Sequence, residues 1–148
     1  MADPWQAHLL TTSTQIRALL DTVRTVAVLG ARPASMSHKA AFYVPQALQR
    51  MGLAIRPVVV HDHPDAQILG EPVHRRLADV PDPIDLVDVF RRPQDLPPHL
   101  DDILAARPRA VWLQSGIRHD EFAERLAREG IQVVQDRCLM VEYRVRGR

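Results

Sequence analysis

Five short apolar runs constrain this chain more than any other feature: 25–30 (TVAVLG), 54–60 (AIRPVVV), 84–90 (IDLVDVF), 110–114 (AVWLQ) and 131–135 (IQVVQ). Each has the length and near-continuous apolar character of a buried strand. Helical spacing fills several of the gaps. In 13–23 (STQIRALLDTV), Ile16, Leu19, Leu20 and Val23 recur three or four residues apart. In 120–130 (DEFAERLAREG), Phe122 and Leu126 share a face and Gly130 offers a left-handed stop. A third helix is expected in 97–108 (PPHLDDILAARP), closed by Pro108. Strands alternating with helices call for an α/β arrangement with a parallel sheet and helices on its faces.

At 148 residues, one such sheet occupies the whole chain, 1–148, as a single domain with an N-terminal helix at about 13–24. The 46% hydrophobic and 25% charged content suits a soluble globular protein. Nineteen basic against eighteen acidic residues leave a net charge of +1, so no global excess attracts nucleic acid or an anionic membrane, and any anion site must be local. The single cysteine, Cys138, excludes an intramolecular disulfide framework and points to a reducing, cytoplasmic setting. No run reaches the roughly 18 unbroken apolar residues of a membrane span, and the first ten residues, MADPWQAHLL, lack the basic-then-apolar pattern of a secretory leader.

The connection after the first strand, in 28–45 (VLGARPASMSHKAAFYVP), is the first candidate site. Pro45 has no amide hydrogen and biases Val44 away from the helical region, so a helix is expected from Pro45 to Gly52, with 31–44 left as a loop. Such connections usually span about 2–6 residues, and longer ones are more often functional. Gly30 permits a sharp turn and close backbone approach, while Arg32, Ser35, Ser37, His38 and Lys39 supply hydrogen bonds and charge. A phosphate or pyrophosphate fits this chemistry. A plain strand-to-helix turn with solvated basic residues fits it too, since neither G-x-G-x-x-G nor a G-K-[ST] ending is present.

The second strand ends in VVVHDHPD, 58–65, where Asp62 is placed to accept from the ribose diol of a nicotinamide dinucleotide. His61 and His63 flank it, but no third ligand of metal-binding spacing follows, and a polar turn before Pro64 is the other reading. VFRRP ends the third strand and WLQSG the fourth. In a parallel sheet Arg91, Arg92, Gln114, Ser115 and Gly116 therefore project to the same edge as Gly30, as a shared small-molecule site requires. Arg91 or Arg92 is also expected to pair with Asp88, Asp95 or a helix end. Ser115 lacks the G-x-S-x-G setting of a nucleophile, and Cys138 reads either as a thiol activated by Arg137 or as a small apolar residue.

Taken in order, VAVLGARP, HKAAFYVPQALQRMG, ILGEPVHRRLADVPDPIDLVDVFRRP, VWLQSGI and DRCLMVEY resemble the small bacterial CoA-binding proteins, over roughly residues 15–143. These look like the N-terminal nucleotide-binding domain of the succinyl-CoA synthetase alpha subunit standing alone. The resemblance implies a Rossmann-like three-layer fold, with a mainly parallel five-stranded sheet holding coenzyme A or an acyl-CoA across its strand ends. It places Gly30, Arg32, Ser37, His38 and Lys39 near the phosphates, and Val60 and His61 beside the ribose phosphate and adenine. Phe90, Arg91 and Arg92 would line the side beyond the third strand, and Gln114 and Gly116 would lie toward the pantetheine arm. Family members commonly read P-V-N-P where this chain reads PVVVHDH, so recognition of the ribose end differs here. Nothing in the sequence resembles the second alpha-subunit domain that supplies the synthetase phosphohistidine, and ligase chemistry is not implied. A nicotinamide-dinucleotide enzyme or sensor using Asp62, and a protein-interaction scaffold, are the rival readings.

Overall fold

The computed structural model describes residues 4–61 and 66–146. The five apolar runs form β1 (Thr25–Leu29), β2 (Ala54–Val58), β5 (Leu86–Val89), β6 (Ala110–Leu113) and β7 (Gln132–Val134). A short antiparallel hairpin that periodicity did not announce, β3 (Gln67–Ile68) with β4 (Glu71–Pro72), lies between β2 and β5. The main sheet has the order β2-β1-β5-β6-β7 with every pair parallel. The chain steps from β1 to β2 on one side and returns to place β5 on the other. The order therefore reverses between β1 and β5, where open α/β sheets leave a crevice beyond the strand ends.

Alternation along the strands feeds two cores. Val26, Val28, Leu86, Ala110, Trp112 and Val134 face one side, under α1 (Ser13–Leu20), α2 (Ala40–Arg50) and α5 (Leu139–Val145). Ala27, Leu29, Val87, Val89, Val111, Leu113 and Val133 face the other, under α3 (Leu100–Ala106) and α4 (Asp120–Arg128). This is the three-layer architecture expected. Both sheet edges are covered: Pro57 sits in edge strand β2, where the chain beyond the hairpin pairs through His74, and the amide of Leu10 donates to the Val133 carbonyl of β7 at 2.8 Å. A proline on an edge strand removes no bond from the ladder.

The N-terminal helix starts where expected because Thr12 and Gln15 form a reciprocal capping box. It ends at Leu20 rather than near residue 24. The amides of Arg24 and Thr25 are bonded instead to Asp85 Oδ2, at 2.8 and 2.9 Å, which fixes the start of β1. The larger correction concerns α2, which begins at Ala40 and carries Pro45 inside it. In a regular helix the amide of residue 45 would donate to the Ala41 carbonyl. Proline cannot, and that carbonyl accepts from the Arg32 amide at 3.3 Å. The loop folds back to satisfy the group that the proline leaves open, so the connection is 31–39, with a short 3-10 turn at Ala34–Met36.

Candidate functional site

The β1/β5 crevice is built on Gly30. Its φ of +92° is a conformation that L side chains rarely adopt, and a Cβ there would lie 2.6 Å from the Phe90 carbonyl oxygen. Glycine thus lets the ends of β1 and β5 touch. The Gly30 and Ala31 amides both donate to the Val58 carbonyl, at 2.9 and 3.2 Å, and so belong to the sheet rather than to a ligand.

Free donors occur one step further along the connection. The amides of Ala40 and Ala41 open α2 with no acceptor among the described residues, and the cap residue Lys39 provides none from its side chain. By comparison α1 has its capping box and the His119 ring nitrogen caps α4, while α3 and α5 also lack a cap from their N-cap side chains, the Leu139 amide of α5 being met by Gln114 instead. An uncapped helix start presents amide hydrogens and the positive end of the helix dipole. Around it stand Ser37, His38 and Lys39, all exposed, and the half-buried Arg32, whose guanidinium has, among the described residues, only a 4.0 Å approach to the Met36 sulfur.

The ends of β2 and β5 bring further cations. His61 is exposed beyond Val60, and its imidazole is held below the ordinary histidine range, first by partial desolvation and then by the charges of Arg32 and Arg91, with Asp95 opposing. The β1 connection and the ends of β2 and β5 therefore form one positive region. Arg91 lays its Cδ 3.4 Å from the position a Gly30 Cβ would take and donates from Nε to His99 Nε2 at 3.1 Å. Arg92 turns away to Asp95, with Nε–Oδ2 at 2.7 Å, the pairing anticipated for one of the two arginines. Neither reaches Asp88, which is fully buried inside β5. Phe90 packs partly against the core.

At the end of β6 the side chains serve the fold. Gln114 is buried and its Oε1 accepts from the Leu139 amide at 3.0 Å, anchoring the start of α5. The Gly116 amide donates to Asp136 Oδ1 at 2.6 Å, and the Trp112 indole donates to the Arg137 carbonyl at 2.8 Å. The DRCL motif thus closes the β6 end of the crevice, with Cys138 half-buried at the cap of α5. Asp62 and His63 lie outside the described residues. A separate hollow of about 480 Å³ lies along the β7 edge between Trp5, Leu10, Arg118, Glu124 and Arg137. Its cations are already engaged, Arg118 with Asp120 and Arg137 with Glu142, which leaves little charge for a ligand.

Residues 24–144 match the family described as the CoA binding domain. The chain belongs to that family. Among relatives of this CoA-binding domain, the Bacillus subtilis (strain 168) protein YneT is 31% identical over 134 residues, 88% of this chain and 93% of that protein. A solved structure from Thermus thermophilus has 42% identity and a TM-score of 0.82, covering 92% of this chain and 99% of its own. A hypothetical protein from Pyrococcus horikoshii OT3 has 25% identity and a TM-score of 0.81, covering 90% and 91%.

Sequence reasoning missed the amides of Ala40 and Ala41 in this CoA-binding domain because it ended the loop at Pro45. The signal was present: Ala41, Phe42, Val44 and Leu48 already carry helical spacing ahead of and across the proline. It also missed His99, which nothing in its local sequence ties to Arg91.

Proposed function

We propose that this CoA-binding domain holds coenzyme A in the crevice beyond β1, β2 and β5, with the phosphates at the open start of α2. The observation that carries the reading is that helix start: amides at Ala40 and Ala41 with no acceptor, and Arg32 and Lys39 beside them with no carboxylate paired to either cation, among the described residues. Backbone amides at a helix start together with unpaired cations are the chemistry that binds phosphate oxygens. Ser37 and His38 add donors to the same cluster. Gly30 lies beneath them, where its missing side chain keeps β1 and β5 in contact. Arg91 flanks the opposite wall beside Phe90, and Arg92 contributes field rather than a bond. Val60 and His61 border the adenine and ribose phosphate, and Gly116 and the Gln114 backbone mark the direction of the pantetheine arm. The role is binding, of free CoA or an acyl form, with no group assigned to catalysis.

Titration calorimetry with CoA, 3′-dephospho-CoA, acetyl-CoA and NAD tests this. CoA should bind in the micromolar range or tighter, with NAD at least a hundredfold weaker, since NAD lacks the 3′-phosphate. Equal binding of CoA and acetyl-CoA would place the thiol end outside the recognised part. Saturable NAD binding with no CoA binding at millimolar ligand would overturn the proposal and turn attention to Asp62 and a nicotinamide cofactor.

A further inference from the structure

We propose that His99 is a positioning residue for the anion site: as a neutral imidazole it accepts the Arg91 Nε hydrogen and so aims the guanidinium at the crevice, and its protonation releases Arg91. This rests on the CoA reading above. The geometry is specific. Arg91 crosses over Gly30 at the contact between β1 and β5, and among the described residues its side chain makes one hydrogen bond, from Nε to His99 Nε2 at 3.1 Å. Both terminal nitrogens are then left without an acceptor among the described residues, and the charges of Arg91 and Arg32 both act on His61.

An Nε–H donor needs a lone pair on Nε2, so the ring proton must sit on Nδ1. A protonated ring has no lone pair, and it would set a second positive charge against Arg91. His99 is half-buried at the end of the short 3-10 turn Pro97–His99, immediately before α3. The groups around it come from three elements: Arg91 after β5, Asp95 in the 3-10 turn Pro93–Asp95, and Asp102 in α3. Burial and then Arg91 favour the neutral ring, with Asp102 and Asp95 opposing. Asp102 is already engaged by the amides of Leu77 and Ala78, at 2.7 and 3.1 Å, and Asp95 by Arg92. Although so engaged, these two carboxylates still act on the ring through space and would offset part of a charge gained by His99. The lost hydrogen bond then outweighs any long-range pull on an anionic ligand.

The consequence is a pH-dependent grip. An ordinary histidine titrates near pH 6.5, so the step lies on the acid side of that value. Over the same range His61 and the ligand phosphates also change charge. A comparison between wild type and His99→Gln removes these shared effects, because the Gln side-chain oxygen can accept from Arg91 and does not titrate. CoA affinity should be measured by calorimetry from pH 7.5 to pH 5.0 for wild type, His99→Gln and His99→Leu, with melting temperatures alongside. At pH 7.5 His99→Gln should match wild type and His99→Leu should bind about tenfold more weakly, the loss of a hydrogen bond to a charged donor. Toward pH 5.0 wild type should lose about five- to tenfold more affinity than His99→Gln. A ligand-free check is the NMR titration of the His99 ring, whose midpoint should rise in Arg91→Ala. Superimposable pH profiles, or undiminished binding in His99→Leu, would overturn this inference alone. Failure of wild type to bind CoA at any pH would overturn it together with the function it rests on.

Discussion

At Asp88 the sheet closes over a carboxyl group with both oxygens buried and no hydrogen-bond partner among the described residues. Its neighbours across the strands are Val28 and Trp112, and burial alone drives its acidity well above the ordinary carboxylate range. The native state therefore holds this group as the neutral acid. A carboxyl whose folded pKa is raised leaves stability untouched below the unfolded value of about 3.9. Above it, the unfolded chain gives up the proton and the folded one keeps it, so stability falls as pH rises, by about 1.4 kcal/mol per pH unit until the folded group ionises. Asp88→Asn removes the titration with little change of shape. Its stability should exceed wild type at pH 7 and converge with it near pH 4, as read by urea unfolding across that range; a difference independent of pH would mean Asp88 is ionised in the fold. Gly30 is the second residue whose surroundings dictate its identity. Gly30→Ala adds a Cβ at positive φ and 2.6 Å from the Phe90 carbonyl. It should cost about 2–4 kcal/mol in the same assay, and full stability would mean that β1 and β5 part easily at this end.

Within the elements, α2 shows how an internal proline is accommodated. The Ala41 carbonyl that Pro45 leaves unpaired is met by the Arg32 amide, and that one bond folds the connection against the helix. It also carries Arg32 toward the first turn of α2. Pro45→Ala restores an amide that competes for the Ala41 carbonyl. The helix gains propensity of up to about 3 kcal/mol, while the buried proline ring is lost. Stability should therefore change by less than about 2 kcal/mol, whereas hydrogen exchange at the Arg32 amide should accelerate roughly tenfold or more as the loop loses its tether. An unaltered exchange rate at Arg32 would show that the tether does not depend on the proline. The opposite end of the sheet is pinned by a comparable device. Asp85 ties the start of β1 through the Arg24 and Thr25 amides and reaches Arg109 ahead of β6 at 3.1 Å. Rigid strand starts leave variation to the opposite edge, where the candidate site lies.

Across the whole molecule, nearly balanced charge makes the local cluster at the ends of β1, β2 and β5 the relevant electrostatic feature. Arg32→Ala with Lys39→Ala should weaken CoA by about 2–4 kcal/mol, at about 1.5–3 per charge-assisted hydrogen bond less some non-additivity, and leave the melting temperature within a few degrees. The effect should shrink in high salt. Undiminished affinity in the double variant would return both residues to the solvated surface. No described helix is long and apolar enough to cross a membrane, consistent with apolar runs of strand length. Much of this architecture was legible in the sequence. The five apolar runs became the five sheet strands within a residue or two, and Phe122 with Leu126 marked the buried face of α4, because burial of a strand or helix face is written in local periodicity. Ordering β5 beside β1, and so placing Arg91 over Gly30, followed only from the topology. The start of α2 at Ala40, the inward turn of Gln114, the isolation of Asp88 and the meeting of Arg91 with His99 were settled by tertiary structure. Each depends on which polar partner lies within about 3 Å in space, and hydrogen bonds of that reach select partners that neither composition nor periodicity identifies.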